Sequence, residues 1–145
     1  MNKISFFEVD IKSSLKGRRK LKDFLGEIFI EENKSIEQVN IIFCSDEYLL
    51  SLNKKHLNHH YYTDTLTFPL SDNPEAIKGE IYISVERVRE NSISFGVPYY
   101  TELVRVIIHS CLHLCGYMDK PEKEITKMNN KQELYVNRWI VSRGA

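Results

Sequence analysis

Apolar and polar positions follow two different periods along this chain, and the switches between them mark its elements. Ile4 to Val9 is β-branched and aromatic, the composition of a strand. From Leu15 to Ile30 the apolar residues fall at 21, 24, 25, 28 and 29, the spacing of an amphipathic helix. Val39 to Cys44 (VNIIFC) is a short apolar run suited to a buried strand. Ser45 then has the character of an N-cap for a helix through about Lys55, with Asp46 and Glu47 in its first turn.

The polar, aromatic stretch from Leu57 to Tyr62 predicts a loop. Asp64 to Pro69 (DTLTFP) alternates and ends at proline, as an edge strand can. Lys78 to Ser84 (KGEIYIS) is a further strand. Ser84 caps a helix to about Phe95, and Gly96 stops it. Pro98 opens the next helix, which runs to Cys115 and ends at Gly116; a charged helix from Lys120 to Val141 closes the chain. The order β-α-β-α-β-β-α-α-α predicts an α/β (α+β) fold, a small mixed four-stranded sheet covered by about five helices.

Length adds that residues 1–145 suit one domain with its own core. Acidic and basic residues balance at 20 each, so no whole-molecule field points to a polyanionic partner. Lys12, Lys16, Arg18, Arg19, Lys20 and Lys22 form one local basic run, either a solvated helix start or a phosphate contact. The N-terminus lacks the apolar stretch of a signal peptide, and no apolar run approaches the roughly 18 residues that span a bilayer. Three cysteines, at 44, 111 and 115, are an odd number and favour reduced thiols in a cytoplasm over a disulfide framework.

Candidate chemistry concentrates in PYYTELVRVIIHSCLHLCGYMDK, residues 98–120. At about 100° per residue, His109 and His113 lie only about 40° apart on consecutive turns, where two imidazoles reach one metal ion. Glu102, Arg105, His109 and His113 make a polar stripe on an otherwise apolar helix. Gly116 lets the chain bend so that Asp119 folds back as a third ligand, giving H-x3-H-x5-D. Two imidazoles and a carboxylate leave the fourth tetrahedral position of a zinc ion to water, the expected nucleophile. Cys111 and Cys115 lie roughly 200–240° around the helix from His109 and are packing residues. A peptidase with H-E-x-x-H would need Glu where Ser110 stands, so that function is disfavoured. Glu102 is either a general acid or base or an ordinary structural acid.

These residues resemble a known family. HSCLHLCGYMD is similar to the H-G-x-L-H-L-x-G-Y-D-H signature of YbeY, the endoribonuclease and rRNA maturation factor family. LNKKHLNHHYYTDTLTFP resembles its L-N-x-x-Y-R-G-x-x-x-x-T-D-V-L-S-F-P, and GEIYIS its G-D-I-x-I-S. The resemblance implies a metal-dependent, single-strand-specific endoribonuclease of ribosomal RNA maturation and small-subunit quality control, with one zinc ion per chain. Its partners would be ribosomal RNA and components of the small ribosomal subunit; neither a membrane nor an organic cofactor enters. The first two zinc-binding histidines of the family fall on His109 and His113, the third on Asp119. The family's arginine, which would hold a phosphate, falls on Leu57, leaving His59, His60 and Arg105 as candidates to replace it. Thr63 and Asp64 would orient the substrate or cap the turn into the strand, and Tyr61, Tyr62 and Phe68 would offer surfaces for unpaired bases. The departures at 57 and 119 keep a second function open, a metal-ordered ribosome-assembly factor without cleavage.

Overall fold

The computed structural model describes residues 3–59, 62–118 and 120–144. The elements follow the predicted order: β1 (Ile4–Glu8), α1 (Arg18–Glu31), β2 (Ser35–Cys44), α2 (Asp46–Leu57), β3 (Thr65–Pro69), β4 (Ala76–Ser84), α3 (Val85–Phe95), α4 (Tyr99–Leu114) and α5 (Glu122–Gly144). The sheet has the order β1-β2-β4-β3. β1, β2 and β4 are mutually parallel, whereas β3 runs antiparallel along β4 as an edge strand.

Alternation along the strands sorts the side chains into two layers. Val39, Ile41 and Phe43 of β2 and Ile77, Ile81 and Ile83 of β4 face the main core. Leu21, Leu25, Ile28 and Phe29 of α1, most of α4, and Met128, Tyr135, Val136 and Trp139 of α5 join them there. On the other face Cys44 and Leu66 pack with Leu49 of α2, flanked by Tyr48, Leu52, Phe68 and Tyr82. α4 is buried nearly all round, as its near-continuous apolar sequence requires.

Local chemistry accounts for the boundaries. Ser45 accepts a hydrogen bond from the Tyr48 N–H and Ser84 one from the Arg87 N–H, capping α2 and α3 as predicted. Gly96 ends α3 with φ 68°. α1 begins at Arg18 rather than Leu15, because Ser14 and Gly17 take left-handed φ of 61° and 65°. Leu15 is nevertheless buried, as a plug from the preceding loop rather than a helical residue. β2 begins at Ser35, four residues earlier than its apolar run, because the half-exposed SIEQ segment pairs with Ala76–Lys78 across a bulge. One position needs the absence of a side chain: a Cβ on Gly79 of β4 would lie 2.7 Å from Leu114 Cδ2 and 3.1 Å from the Phe68 carbonyl oxygen. The C-terminal end of α4 therefore rests directly on the sheet. Among the described residues no helix is long and apolar enough to cross a membrane.

Candidate metal centre

His109 and His113 emerge half-buried from the last two turns of α4, on the side facing β3. Their Nε2 atoms are 3.2 Å apart, and the ring planes are inclined at 82°. The far side of each ring is fixed. His113 Nδ1 lies 3.1 Å from the Tyr117 carbonyl oxygen, in the turn just after the helix. His109 Nδ1 lies 2.7 Å from Gln132 Oε1 of α5, while Gln132 Nε2 donates to Glu133 Oε2 at 3.1 Å.

A carbonyl oxygen only accepts, so each Nδ1 carries the proton, and in the neutral rings both Nε2 atoms are acceptors. Two acceptors aimed at each other at 3.2 Å repel unless a cation lies between or beside them. Ligand nitrogens about 2.0–2.1 Å from one tetrahedral zinc ion stand about 3.3 Å apart. The pair therefore fits a metal. Asp119, His60 and Tyr61 lie outside the described residues, and among the described residues no group of three or more His, Cys, Asp or Glu side chains gathers as a complete ligand set.

The histidines form one wall of a cavity of about 380 Å³ whose opposite wall is Thr63, Asp64, Thr65, Leu66, Thr67 and Pro69. Thr63 and Asp64 thus stand beside the imidazoles. The two walls are tied together by a 2.9 Å hydrogen bond between Thr65 Oγ1 and Ser110 Oγ, and Ser110 donates onward to the Val106 carbonyl at 2.9 Å. Burial pushes the Asp64 carboxyl above its ordinary value, with the neighbouring His109 and Arg87 pulling it back.

Other candidates sit differently. Glu102 is buried and Arg105 bridges it to α5: Arg105 Nη1 is 3.0 Å from Glu102, and Nε and Nη2 grip Glu133 at 3.0 and 3.1 Å. Burial raises the Glu102 carboxyl, and Arg105 opposes that rise, whereas the same guanidinium lowers Glu133. Neither Glu102 nor Arg105 lines the cavity, so the polar stripe divides into an open half, 109 and 113, and a closed half, 102 and 105. Leu57 is exposed at the end of α2 and His59 is exposed beyond it. Phe68 corrects an expectation: strand alternation turns it to the α2 side, against His56 and Tyr82, away from the histidines. The Tyr62 hydroxyl donates to Glu47 at 2.5 Å, and Arg87 lies over its ring. Burial pushes the Cys115 thiol up to about 12 and raises that of Cys111 well above its ordinary value, as packing residues require.

Gln132 is the residue that sequence reasoning missed. The inward stripe of α5 is Met128, Gln132, Tyr135, Val136 and Trp139, and a lone amide in such a stripe is the signal that could have revealed it.

A family model described as endoribonuclease YbeY matches residues 3–140. The chain belongs to the endoribonuclease YbeY family. Endoribonuclease YbeY of Karelsulcia muelleri is 47% identical over 106 residues, 73% of this chain and 74% of that protein. Endoribonuclease YbeY of Flavobacterium psychrophilum is 42% identical over 127 residues, covering 88% and 90%. The solution structure of TM1509 from Thermotoga maritima superposes with a TM-score of 0.70 at 33% identity, covering 97% of this chain and 92% of that one. The YbeY match thus takes in every strand, both histidines and Gln132.

Proposed function

We propose that this chain is a zinc-dependent hydrolase that cleaves single-stranded RNA in ribosomal RNA maturation, with His109, His113 and Asp119 as the ligand set. The single observation that carries the metal part is the facing pair of Nε2 atoms at 3.2 Å, each ring held from behind by an acceptor. Membership of the endoribonuclease YbeY family supports the reaction and the RNA substrate. Asp119 enters through its spacing and its place in the family signature. When bound, the ion would supply Lewis acidity, polarising a phosphoryl oxygen and making a water nucleophile available at neutral pH.

The protein's own contribution is positioning. Thr63 and Asp64 stand across the cavity from the imidazoles and would orient the phosphodiester, with β3 as a polar edge along which an unpaired strand can lie. A cavity of about 380 Å³ takes a splayed-out nucleotide rather than a duplex. Small-subunit components as partners, and a cytoplasmic location where ribosomal RNA is made, belong to the same proposal. His59, exposed just beyond α2, and His60, next to it in the sequence, would meet the substrate backbone. Glu102 and Arg105 act through α5 rather than on the reacting atoms.

One observation favours the second function, a metal-ordered assembly factor. Leu57 replaces the family's arginine, and Arg105, the available guanidinium on α4, is engaged by Glu102 and Glu133. One experiment separates the two. Zinc-loaded protein is incubated with a single-stranded RNA oligonucleotide, beside His113→Ala and Asp119→Ala. We expect cleavage that falls at least about 100-fold in His113→Ala, and zinc content that falls in both variants. RNA binding without zinc-dependent cleavage would establish the assembly factor instead, and full zinc content in Asp119→Ala would remove it from the ligand set.

A further inference from the structure

α4 and α5 are joined beside the metal centre by two polar rungs, one helical turn apart. The first is His109 Nδ1 to Gln132 Oε1 at 2.7 Å, and the second is Arg105 to Glu133 at 3.0 and 3.1 Å. The rungs are also tied to each other, because Gln132 Nε2 donates to Glu133 Oε2 at 3.1 Å. That bond fixes which way round the amide sits. Its NH₂ is directed to the carboxylate, so its oxygen is directed to the imidazole. Arg105 in turn anchors Glu133 to the buried Glu102. Gln132 is 9% exposed and is the polar member of the buried α5 stripe. An amide held there, with both ends satisfied, has a definite task.

We propose that Gln132 is a positioning residue that sets the tautomer and aim of His109, and that through it metal affinity is coupled to the docking of α5. With an acceptor at Nδ1, the His109 proton stays on Nδ1 and Nε2 is left to coordinate. Without that acceptor the proton is free to occupy Nε2, where it blocks coordination. His113 is set differently, by the Tyr117 carbonyl of its own helix terminus. Even so, α5 reaches that side too. Glu32 accepts from the Tyr117 hydroxyl at 2.7 Å and from the Tyr135 hydroxyl of α5, and it pairs with Lys131 at 3.4 Å. Residues 131–135 of α5 therefore brace both imidazoles, so metal binding and helix docking must favour each other reciprocally.

The coupling rests on the metal reading above, whereas the tautomer does not, and the test uses that difference. Nitrogen-15 NMR of metal-free protein reports the proton position on His109, and competition with a chromophoric chelator reports zinc affinity. In wild type we expect His109 protonated on Nδ1. In Gln132→Met we expect a mixed tautomer and zinc affinity reduced about 10- to 100-fold. Gln132→Glu, which keeps the acceptor, is expected to bind zinc at least as tightly as wild type. Amide exchange of α5 around residue 132 is expected to slow on adding zinc to wild type and to respond less in Gln132→Met. An unchanged tautomer and unchanged affinity in Gln132→Met would overturn the proposal. If wild type binds no zinc but Gln132→Met still shifts the tautomer, the metal reading and the coupling fall while the positioning role stands. Should Gln132→Met not fold, Gln132→Leu removes the same acceptor with a different apolar shape; an unaltered His109 spectrum there would count equally against the proposal.

Discussion

Single side chains fix the segment that α4 leans on. Glu8, at the end of β1, accepts the Ser13 N–H at 2.6 Å and the Ser13 hydroxyl at 3.0 Å, and pairs with Arg18 at 3.4 Å. The Ser13 backbone N–H is the main reason its carboxyl lies below the ordinary 4.5, with burial working against it. A lowered carboxylate stabilises the fold above the unfolded-state value, and that stability is lost as pH falls through the folded-state value. Glu8→Gln should therefore cost no more than about 1 kcal/mol near neutrality, where solvent screens the pair, and the difference from wild type should fade as pH falls below 4.5 and vanish in acid below the folded-state value. Urea titrations at both pH values check this; a gap that persists in acid would refute it. At the same scale the two histidines were legible because helical spacing alone puts them on one face. Gln132 was not, since it lies 19 residues past His113 on another helix and only packing brings it back. Arg105 shows a related limit: periodicity puts it on the histidine face but says nothing of Glu133 on α5, which engages its guanidinium.

Among the elements, caps and alternation were the reliable signals. Ser45, Ser84 and Gly96 marked helix ends through local chemistry that needs no tertiary context. The errors came where context decided. The SIEQ segment is too polar to announce a strand and becomes one by pairing with β4, and Leu15 is apolar because it plugs the core, not because it is helical. α1 keeps one local conflict. Its first turn carries Arg18, Arg19 and Lys20 and no acid, so cations crowd the positive end of the helix dipole. Arg19→Glu should raise stability by about 0.5 kcal/mol, read from the denaturation midpoint at low salt. A parallel loss of RNA affinity with a shallower salt dependence would mark the basic segment as a phosphate contact; unchanged affinity would leave it a solvated helix start.

Across the whole molecule, the site is a meeting of layers: α4 supplies imidazoles, β3 the facing wall, α5 the bracing from behind. The spacing between the first two is set at a distance from the chemistry, where Leu114 settles into the space above Gly79. One added methyl there would be a shim under the end of a beam. The Leu114 side chain can swing aside, but the Phe68 carbonyl is backbone and cannot, so Gly79→Ala should destabilise by about 1–3 kcal/mol and lower the melting temperature. The tilt would reach His113, Leu114's immediate neighbour, before His109 one turn back. Zinc titration of Gly79→Ala should therefore show weaker binding although the substitution touches no ligand, and retained wild-type affinity would show that the gap between helix and strand is not what tunes the bite. On the expected outcome, the bite of the two imidazoles would be gauged by a hydrogen atom on the neighbouring strand.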